Sequence, residues 1–386
     1  MKINSRLCWW SLVFAIPLIL SFPVLPITID TEKLFLSKQK SQIRVPRHYQ
    51  TYWVNNAKET YQALAKIHRE GGFAAIFFRE GVYQLKNTLN IRAPNIMLLS
   101  VSASPQKTVL RGNGMKASKG VDNLIRVAAP NFVLDGLTLE QSGNHLIQIA
   151  GESGATKPVI RNCILQDGYE QLFKVTYNRK YQDKFSDQGI VESCLFQYSK
   201  GTGPNYYIGG IDAHGIQNWT IRNNIFVNIA SPSQHIAEHS IHLWNDTNNN
   251  LVEKNIIINS DRGIGFGMRQ KKVGYARYSN RGGVIKNNII YHARNTHKFA
   301  DTGIILEDSP ETVVDGNIIY FEHDYPNAIE FRFANTSEVI IKNNYVNRRI
   351  KSRNSGQASI LNNEISELSR KKLELNLKDF IAQSNF

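Results

Sequence analysis

Cysteine is scarce in this chain of 386 residues, which contains 3. Cys8 lies in an apolar N-terminal segment, so Cys163 and Cys194 remain for the rest of the chain. Two cysteines cannot form the disulfide framework that stabilises many small exported domains. A hydrophobic content of 42% and a charged content of 20% indicate instead a folded protein held together by a large core.

Several catalytic signatures are also absent. The sequence has no recognisable acyl-transfer triad and no nucleotide-binding motif. Hydrolysis by paired carboxylates needs two or three acidic residues that converge, and in the cluster described below Asp212 is the only aspartate. The sequence therefore disfavours hydrolysis of that kind.

Acidic residues are outnumbered, with 32 Asp and Glu against 46 Lys and Arg, and the formal net charge is +14. A basic protein attracts polyanions, so charge alone is compatible with anionic polysaccharide, nucleic acid or lipid headgroups. A basic surface that only improves solubility is an equally good interpretation.

Residues 1–30 resemble an export signal. Lys2 and Arg6 are followed by an apolar run from Leu7 to Ile27. Prolines interrupt the run and no Ala-x-Ala site follows it, so cleavage and retention as a membrane anchor both stay open. Either outcome places the later residues outside the cytoplasm, as a secreted, periplasmic or cell-surface protein, and excludes nucleic acid as a partner. An uncleaved segment predicts association with the cytoplasmic membrane.

A repeated pattern runs through the middle of the chain: two apolar residues, two polar or small ones, a ladder position, and two mostly apolar residues. The ladder positions recur about every 30 residues. They are Leu137, Cys163, Cys194, Asn224, Asn255, Asn288, Asn317 and Asn344. The spacing is irregular, which favours a β-coil with one variable loop over a helical solenoid. Asparagine suits this position because it tolerates a left-handed bend and its amide can hydrogen-bond one rung away.

A second strand precedes most repeats, and its alternation predicts an inward aliphatic column. The column consists of Ile211, Ile241, Ile264, Ile304 and Ile329. Residues 60–70 predict a short amphipathic helix and residues 74–78 a strand, together a plausible N-terminal plug. The last 22 residues alternate apolar and charged residues at helical spacing and predict a cap at the other end.

With these repeats, residues 70–350 resemble the pectin-lyase-like superfamily of right-handed parallel β-helices. The resemblance implies an all-β solenoid with short helical caps. We predict a signal peptide or anchor at 1–30, a linker and N-terminal cap at 31–90, the β-helix at 91–350, and a linker and C-terminal helical cap at 351–386. The superfamily contains lyases, glycoside hydrolases, epimerases, tailspikes and adhesins, so the fold alone does not choose a function.

The outward positions of the second strands collect residues that ordinary solvent-facing strands rarely carry. Three of the coils bring together Asp212, His214, His239, His242, Trp244 and Arg262, with Lys174 one coil earlier and Glu238 beside His239. Neighbouring glycines leave space for a groove, and sugar rings stack on tryptophan. Alternatively, the long loops at 176–188 and 198–208 cover His239, His242 and Trp244, which then merely pack.

Residues 207–268 also resemble successive coils of mannuronan C5-epimerases. The segments that show this resemblance are Asp212-Ala213-His214-Gly215, Glu238-His239-Ser240-Ile241 and Asp261-Arg262-Gly263-Ile264. In this resemblance Asp212, His214 and His239 match family motif positions. The sequence departs from that family where Ala213 replaces proline, Gly215 replaces aspartate and Asn245 replaces arginine. These departures leave the reaction open.

The predicted roles follow from lyase or epimerase chemistry on a uronate, which needs a base, an acid and a group that neutralises the carboxylate. We predict His214, His239, Arg262 and Asp212 as catalytic residues. The predicted substrate-binding residues are Lys174, His242, Trp244 and Glu238. His214 or His239 is the candidate base, and Arg262 or Lys174 neutralises the carboxylate.

No metal site and no cofactor are predicted. His239 and His242 lie three residues apart, which on a strand sends their side chains to opposite faces unless the backbone bulges between them. Calcium would need clustered carboxylates, for which Glu307, Asp308 and Glu330 are the candidates.

The sequence thus predicts a monomeric, extracytoplasmic β-helix protein that acts on an anionic polysaccharide. The alternative is a non-catalytic carbohydrate-binding or cell-surface β-helix, and a third possibility is an accessory role in glycan export or assembly.

Overall fold

The computed structural model describes residues 27, 29–102, 104–116, 122–180, 183–269, 278–293 and 297–382, with side chains to residue 379. The apolar segment predicted as signal or anchor therefore lies, apart from its last residues, outside the described residues. The helices of the described chain are α1 (Thr31–Ser37), α2 (Ala57–Glu70) and α3 (Leu368–Ala382), with short 3-10 turns at Pro105–Lys107 and Gly151–Ser153.

The strands of the described chain form stacked sheets in which every pairing is parallel. Sheet 1 consists of Gln50–Val54, Ala74–Phe78, Ile96–Ser100, Val133–Asp135, Val159–Arg161, Ile190–Glu192, Thr220–Arg222, Leu251–Glu253, Val284–Lys286, Val313–Asp315, Val339–Lys342 and Ala358–Leu361. Sheet 2 consists of Gly81–Gln84, Thr108–Arg111, Thr138–Ser142, Ile164–Gly168, Leu195–Gln197, Ile225–Val227, Ile256–Ile258, Ile289–His292, Ile318–Phe321, Tyr345–Val346 and Glu364–Ile365. Sheet 3 consists of Leu89–Ile91, Ile125–Val127, Ile147–Ala150, Gln171–Thr176, Gly209–His214, Ile241–Trp244, Ile264–Phe266, Ile304–Glu307, Asn327–Arg332 and Arg349–Arg353. A short sheet 4 consists of Ser186–Asp187, Ile216–Gln217, Thr247–Asn248 and Asn280–Arg281.

Each coil passes through sheets 1, 2 and 3 in that order, and some coils add a sheet 4 strand before the next coil begins. This arrangement is a right-handed parallel β-helix, which confirms the predicted fold class. The coils extend past the predicted limits of 91–350, from the strand Gln50–Val54 to the strand Glu364–Ile365. The predicted plug strand Ala74–Phe78 is itself a rung of sheet 1.

The inward aliphatic column of sheet 3 is confirmed. Ile211 pairs in register with Ile241, Ile241 with Ile264, Ile264 with Ile304, and Ile304 with Ile329. All five side chains are fully buried. Each coil thus places an isoleucine directly on the isoleucine of the preceding coil. The core is one continuous cluster along the solenoid.

The predicted asparagine ladder is confirmed as a line of buried amides. The Asn255 amide donates to Asn288 Oδ1 at 3.0 Å, and the Asn288 amide donates to Asn317 Oδ1 at 2.9 Å. Each amide also donates to a backbone carbonyl of the preceding coil, as Asn288 does to Val252 at 3.0 Å. These bonds satisfy the amides inside the core and fix the register between coils.

The left-handed bend lies one residue earlier than predicted. Positive φ angles occur at Asn223, Lys254, Asn287 and Asn343, each directly before a ladder asparagine, and at Gly316 before Asn317. The ladder residue itself turns its side chain inward, because the preceding residue has already made the bend. Asparagine at the ladder is therefore explained by its hydrogen bonds and not by tolerance of positive φ.

Helix α2 packs at the N-terminal end of the solenoid. Its N-cap Asn56 accepts a hydrogen bond from the Glu59 N–H at 3.0 Å, and Gly71 ends it with a φ of 85°. Its inner face, with Leu64 and Ile67, is buried in the main core. The predicted amphipathic helix at 60–70 lies within α2.

Helix α3 does not close the C-terminal end, contrary to the prediction. It lies along the outside of sheet 2 together with α1, where Leu373 and Leu377 pack with Leu34 and Phe35. The outward residues of sheet 2 are apolar, among them Ile225, Ile256, Ile289 and Ile318. We call this group the outer cluster. The two helices cover it because an apolar outer sheet face needs a second layer.

Residues 38–43, which we call the N-terminal strap, cross several coils outside the turn between sheets 1 and 2. The Lys40 N–H donates to Asn162 Oδ1 at 2.8 Å, and the Ile43 N–H donates to Asp135 Oδ2 at 2.9 Å. Lys40 Nζ also contacts Glu192 at 2.5 Å. The strap therefore ties the coils of residues 135, 162 and 192 together.

Substituting Asn288 by alanine is expected to reduce the free energy of unfolding by about 2–4 kcal/mol, because buried donors and acceptors on both neighbouring coils lose their partner. Chemical denaturation followed by circular dichroism measures this loss. Asn87→Ala is the control, since Asn87 is exposed and should change stability by less than about 0.5 kcal/mol. Equal losses in both variants would contradict a structural role for the ladder.

Candidate functional site

The predicted outward column of sheet 3 is present in register. Lys174 pairs with Asp212, Asp212 with His242, and His242 with Gly265. His214 pairs with Trp244 two residues further along the same strands. Parallel pairing in register therefore brings side chains from successive coils onto one outer face.

Asp212 is the centre of one hydrogen-bonded group on this face. Its carboxylate accepts hydrogen bonds from Lys174 Nζ and, at 2.7 Å, from Trp244 Nε1. His214 Nε2 lies 3.4 Å from Asp212 Oδ1 and 3.1 Å from Lys174 Nζ. We call these four residues, Lys174, Asp212, His214 and Trp244, the Asp212 group. Asp212 is buried, whereas His214 and Trp244 are half-buried at its rim.

The charges of the Asp212 group are well defined at neutral pH. Burial opposes the Asp212 charge, but the contact with His214 and the charge of Lys174 outweigh it and hold the pKa of Asp212 well below its usual range. Burial lowers the pKa of His214, and Lys174 adds to this against the opposing effect of Asp212. The group thus combines a carboxylate with a neutral imidazole.

A second group, Glu238, His239 and His242, adjoins the first. The His242 and Trp244 rings lie 5.5 Å apart between centroids, and the His239 and His242 rings lie 4.5 Å apart. The two side chains therefore lie together, as the predicted cluster requires, and the opposite faces expected on a regular strand are not observed. The strand begins at Ile241, so His239 precedes the regular alternation on which that prediction depended.

The predicted groove beside these histidines is filled. His239 is 5% and His242 is 3% exposed. A Cβ at Gly265 would lie 2.9 Å from His239 Nε2 and 3.0 Å from His242 Cδ2, so the two rings occupy the space that the glycine leaves. His239 and His242 are therefore buried, as the alternative above expects, whereas Trp244 is only half-buried.

Arg262 is separate from the Asp212 group. Its Nε lies 3.8 Å from Asp301 Oδ2, and its charge acts on His239. Burial first, and then the charge of His242, lowers the pKa of His239 to about 3. The predicted site residues therefore form two sets. One is the Asp212 group, and the other consists of Glu238, His239 and His242 with Arg262 nearby.

A surface cavity of about 630 Å³ lies next to the Asp212 group. It is lined by Trp244 and Asn245 and by a segment two coils earlier, and the full set is Glu152, Thr176, Tyr177, Asn178, Arg179, Trp244 and Asn245. The Asn245 amide lies 3.3 Å from His214 Nδ1. Tyr177 and Arg179 were not predicted, because they lie in a loop that no repeat pattern covers.

A larger cavity of about 690 Å³ lies elsewhere, between the N-terminal strap and α3. Lysines and asparagines predominate among its polar residues, with Lys38, Lys254 and Lys372 on its wall. It contains no histidine or carboxylate, so we place the candidate chemistry at the Asp212 group despite the smaller cavity there.

Two of the three carboxylates predicted as calcium ligands, Glu307 and Glu330, form ion pairs with arginines. Glu330 contacts Arg332 and Arg353, and Glu307 contacts Arg332 at 2.9 Å. These arginines neutralise the carboxylates that a calcium ion would need.

In the part of the chain that the structure describes, no helix is both long and apolar enough to cross a membrane. The predicted anchor at 1–30 lies almost wholly outside that part.

Neither a family model nor a curated protein sequence matches this chain. Solved structures match in fold. A glycoside hydrolase has a TM-score of 0.62 at 9% identity, covering 86% of this chain and 100% of that one. An endo-xylogalacturonan hydrolase from Aspergillus tubingensis has a TM-score of 0.50 at 12% identity, covering 80% and 89%. The catalytic domain of a GH87 alpha-1,3-glucanase in complex with nigerose has a TM-score of 0.50 at 13% identity, covering 84% and 58%.

At these identities the likeness shows the fold. The chain is a right-handed parallel β-helix. The local resemblance to mannuronan C5-epimerases stays a prediction.

Proposed function

We propose that this protein acts on a uronate-containing polysaccharide at the Asp212 group, by removing the proton next to the uronate carboxylate. Lyases and C5-epimerases share this first step. The observation that carries the proposal is the pairing of a buried, ionised Asp212 with a half-buried, neutral His214 that contacts Trp244 and Asn245 of the cavity wall.

Asp212 can fix the tautomer of His214. An Nε2–H directed at Asp212, 3.4 Å away, leaves the lone pair on Nδ1, and the Lys174 ammonium, which can only donate, then bonds to Asp212 and not to the ring. The Asn245 amide nitrogen donates to Nδ1 at 3.3 Å, so a sugar in the adjoining cavity has to displace that amide before its C5 proton reaches Nδ1. Lys174 next to the ring favours the neutral imidazole, and a neutral imidazole is the form that accepts a proton.

Arg179 is the proposed partner of the substrate carboxylate. Proton removal leaves negative charge on that carboxylate, which a cation must stabilise. Asn245 stands where the epimerases have an arginine, whereas Arg179, two coils earlier, lines the same cavity. Its place on that wall is what assigns it this role, which was predicted from the sequence for Lys174 or Arg262.

Trp244 supports a sugar as the ligand. Its indole N–H is held by Asp212, so the half-buried ring has a fixed orientation on the cavity wall. The solved structures described above are glycan-degrading enzymes by name, which agrees with a polysaccharide ligand.

Hydrolysis by paired carboxylates fits this face less well. One of the two groups must carry a proton at neutral pH to act as the acid. Glu238, like Asp212, has its pKa held below the usual range, because contacts with His239 and His242 outweigh the effect of burial. Neither carboxyl is then protonated.

The proposal is tested with purified protein and a panel of uronate polymers. A lyase produces unsaturated ends that absorb in the ultraviolet, and an epimerase exchanges the C5 proton with deuterium from solvent. New reducing ends without unsaturation would mean hydrolysis and would overturn the proposal. Binding without turnover on every polymer would favour the alternative of a carbohydrate-binding β-helix, with an affinity that falls as salt rises.

The pH dependence of turnover should follow His214. Protonation removes the base, and burial lowers the pKa of His214 below its ordinary value of about 6.5. We therefore expect kcat/KM to stay level from neutral pH down to about 6.5 and to fall at lower pH. The titratable groups that act on the ring are Asp212, Lys174 and His242, and the charges of Lys174 and His242 lower the pKa of His214 further. A profile of kcat/KM against pH tests this, and a fall centred above about 6.5 would contradict it.

We also propose that the folded body is exported. A reporter enzyme joined after residue 30 should be active only outside the cytoplasm, and carbonate extraction would show whether residues 1–30 hold the protein at the membrane. Recovery in the soluble cytosol would contradict export.

A further inference from the structure

His239 has an unusual environment for a buried histidine. Neither Nδ1 nor Nε2 has a hydrogen-bond partner among the described residues, although the side chain is 5% exposed. Buried polar atoms are almost always paired, so an orphaned imidazole indicates a partner other than the residues that the structure describes. Its ring lies against His242 and its Nδ1 lies 3.6 Å from Glu238 Oε2.

The neighbouring ring is held as a metal-binding histidine is held. His242 Nε2 lies 3.1 Å from the Gly267 carbonyl, to which it must donate its hydrogen. In the neutral ring this leaves the lone pair on Nδ1. Ligand histidines are commonly oriented in this way by a backbone carbonyl on the opposite nitrogen.

The spacing of the ligand atoms suits a tetrahedral ion. Glu238 Oε2 lies 3.3 Å from His242 Nδ1, and the potential ligand atoms of Glu238, His239 and His242 all lie within 4.8 Å of one another. Tetrahedral bonds of about 2.0–2.1 Å place neighbouring ligand atoms roughly 3.3 Å apart. A small movement of His239 would complete that geometry.

An ion pair between a protonated His242 and Glu238 would explain the 3.3 Å contact without a metal. It would not explain the two unpartnered nitrogens of His239. The glycine at 265 also makes room for both rings, as described above. Arg262 acts electrostatically on His239 from one side, but its guanidinium is directed to Asp301.

We propose that Glu238, His239 and His242 bind a divalent cation of the zinc class. Two imidazole nitrogens and one carboxylate oxygen form a ligand set that zinc accepts while keeping a fourth position open. The side chain of Glu238 is 28% exposed, so the ion is reached from the side of that residue. The proposal is independent of the reaction proposed for His214.

The test uses the full chain, stripped with a chelator and titrated with Zn²⁺ against a chromophoric competitor. We expect one Zn²⁺ per chain with a Kd of about 1 μM or tighter, and Co²⁺ in its place should give the visible absorption of a tetrahedral site. Glu238→Gln keeps the size of the side chain and should weaken Zn²⁺ binding at least about 100-fold. Loss of a residue that only supports a metal ligand typically weakens metal affinity less than this.

His48→Ala is the matched control, since His48 is exposed and its loss should leave affinity unchanged. Gly265→Ala retains all three ligands but pushes a methyl group into the rings, and it should also weaken binding. Circular dichroism establishes that each variant is folded. No stoichiometric Zn²⁺ binding by the unaltered chain, or binding that survives both Glu238→Gln and His239→Ala, would overturn the proposal.

Discussion

Replacing His214 by glutamine is expected to lower kcat about 10²–10⁴-fold on the uronate polymer that the protein turns over, the range that a general base contributes. Glutamine can still hydrogen-bond to Asp212 but cannot accept the C5 proton. Steady-state kinetics measures the loss. KM should change little, because the sugar is held by Trp244 and the cavity wall in this proposal.

The matched control is His48→Gln, which removes an exposed imidazole and should leave kcat unchanged. Thermal unfolding of both variants separates a catalytic defect from a folding defect. If His214→Gln retained more than about a tenth of kcat, His214 would not be the base.

Replacing Lys174 by methionine is expected to destabilise the fold by about 3–5 kcal/mol, because it leaves the buried Asp212 carboxylate without its cation. Methionine fills much the same volume as the lysine stem, so the loss reports on charge more than on packing. Denaturant unfolding near neutral pH measures it.

Removing both charges should be far less damaging than removing the lysine alone. In Lys174→Met with Asp212→Asn, the asparagine oxygen can still accept the Trp244 N–H, and no unpaired charge remains. We expect the double variant to recover most of the lost stability, giving a coupling energy well above about 1 kcal/mol. Additive losses would mean that the two side chains do not act as a pair.

The repeats allowed the solenoid to be predicted because each coil reuses the same positions for the same contacts. The isoleucines before each repeat stack because parallel strands pair in register. The ladder asparagines recur because each amide needs the next one as a partner. Contacts of this kind make the same residue types recur at regular intervals, and such a repeat can be recognised in a single sequence.

The other features depend on segments that have no period. Helix α3 was placed at the end of the solenoid, since its sequence shows an apolar face but not which surface that face covers. The alternation of side chains along a regular strand would place His239 and His242 on opposite faces, but it does not apply here because His239 precedes the strand that begins at Ile241. Arg179 and Tyr177 reach the cavity from a loop, and loop paths depend on tertiary contacts that spacing does not reveal.

The course of the first described residues determines how a long polymer could approach. Ile27 and Ile29 pack with the outer cluster on sheet 2, whereas the Asp212 group lies on sheet 3. Whatever precedes residue 27 therefore joins the solenoid on a different side from the candidate site. If that segment rests on a bilayer, the sheet 2 side is turned towards the lipid, and a glycan chain can run across sheet 3 without having to pass between the protein and the membrane.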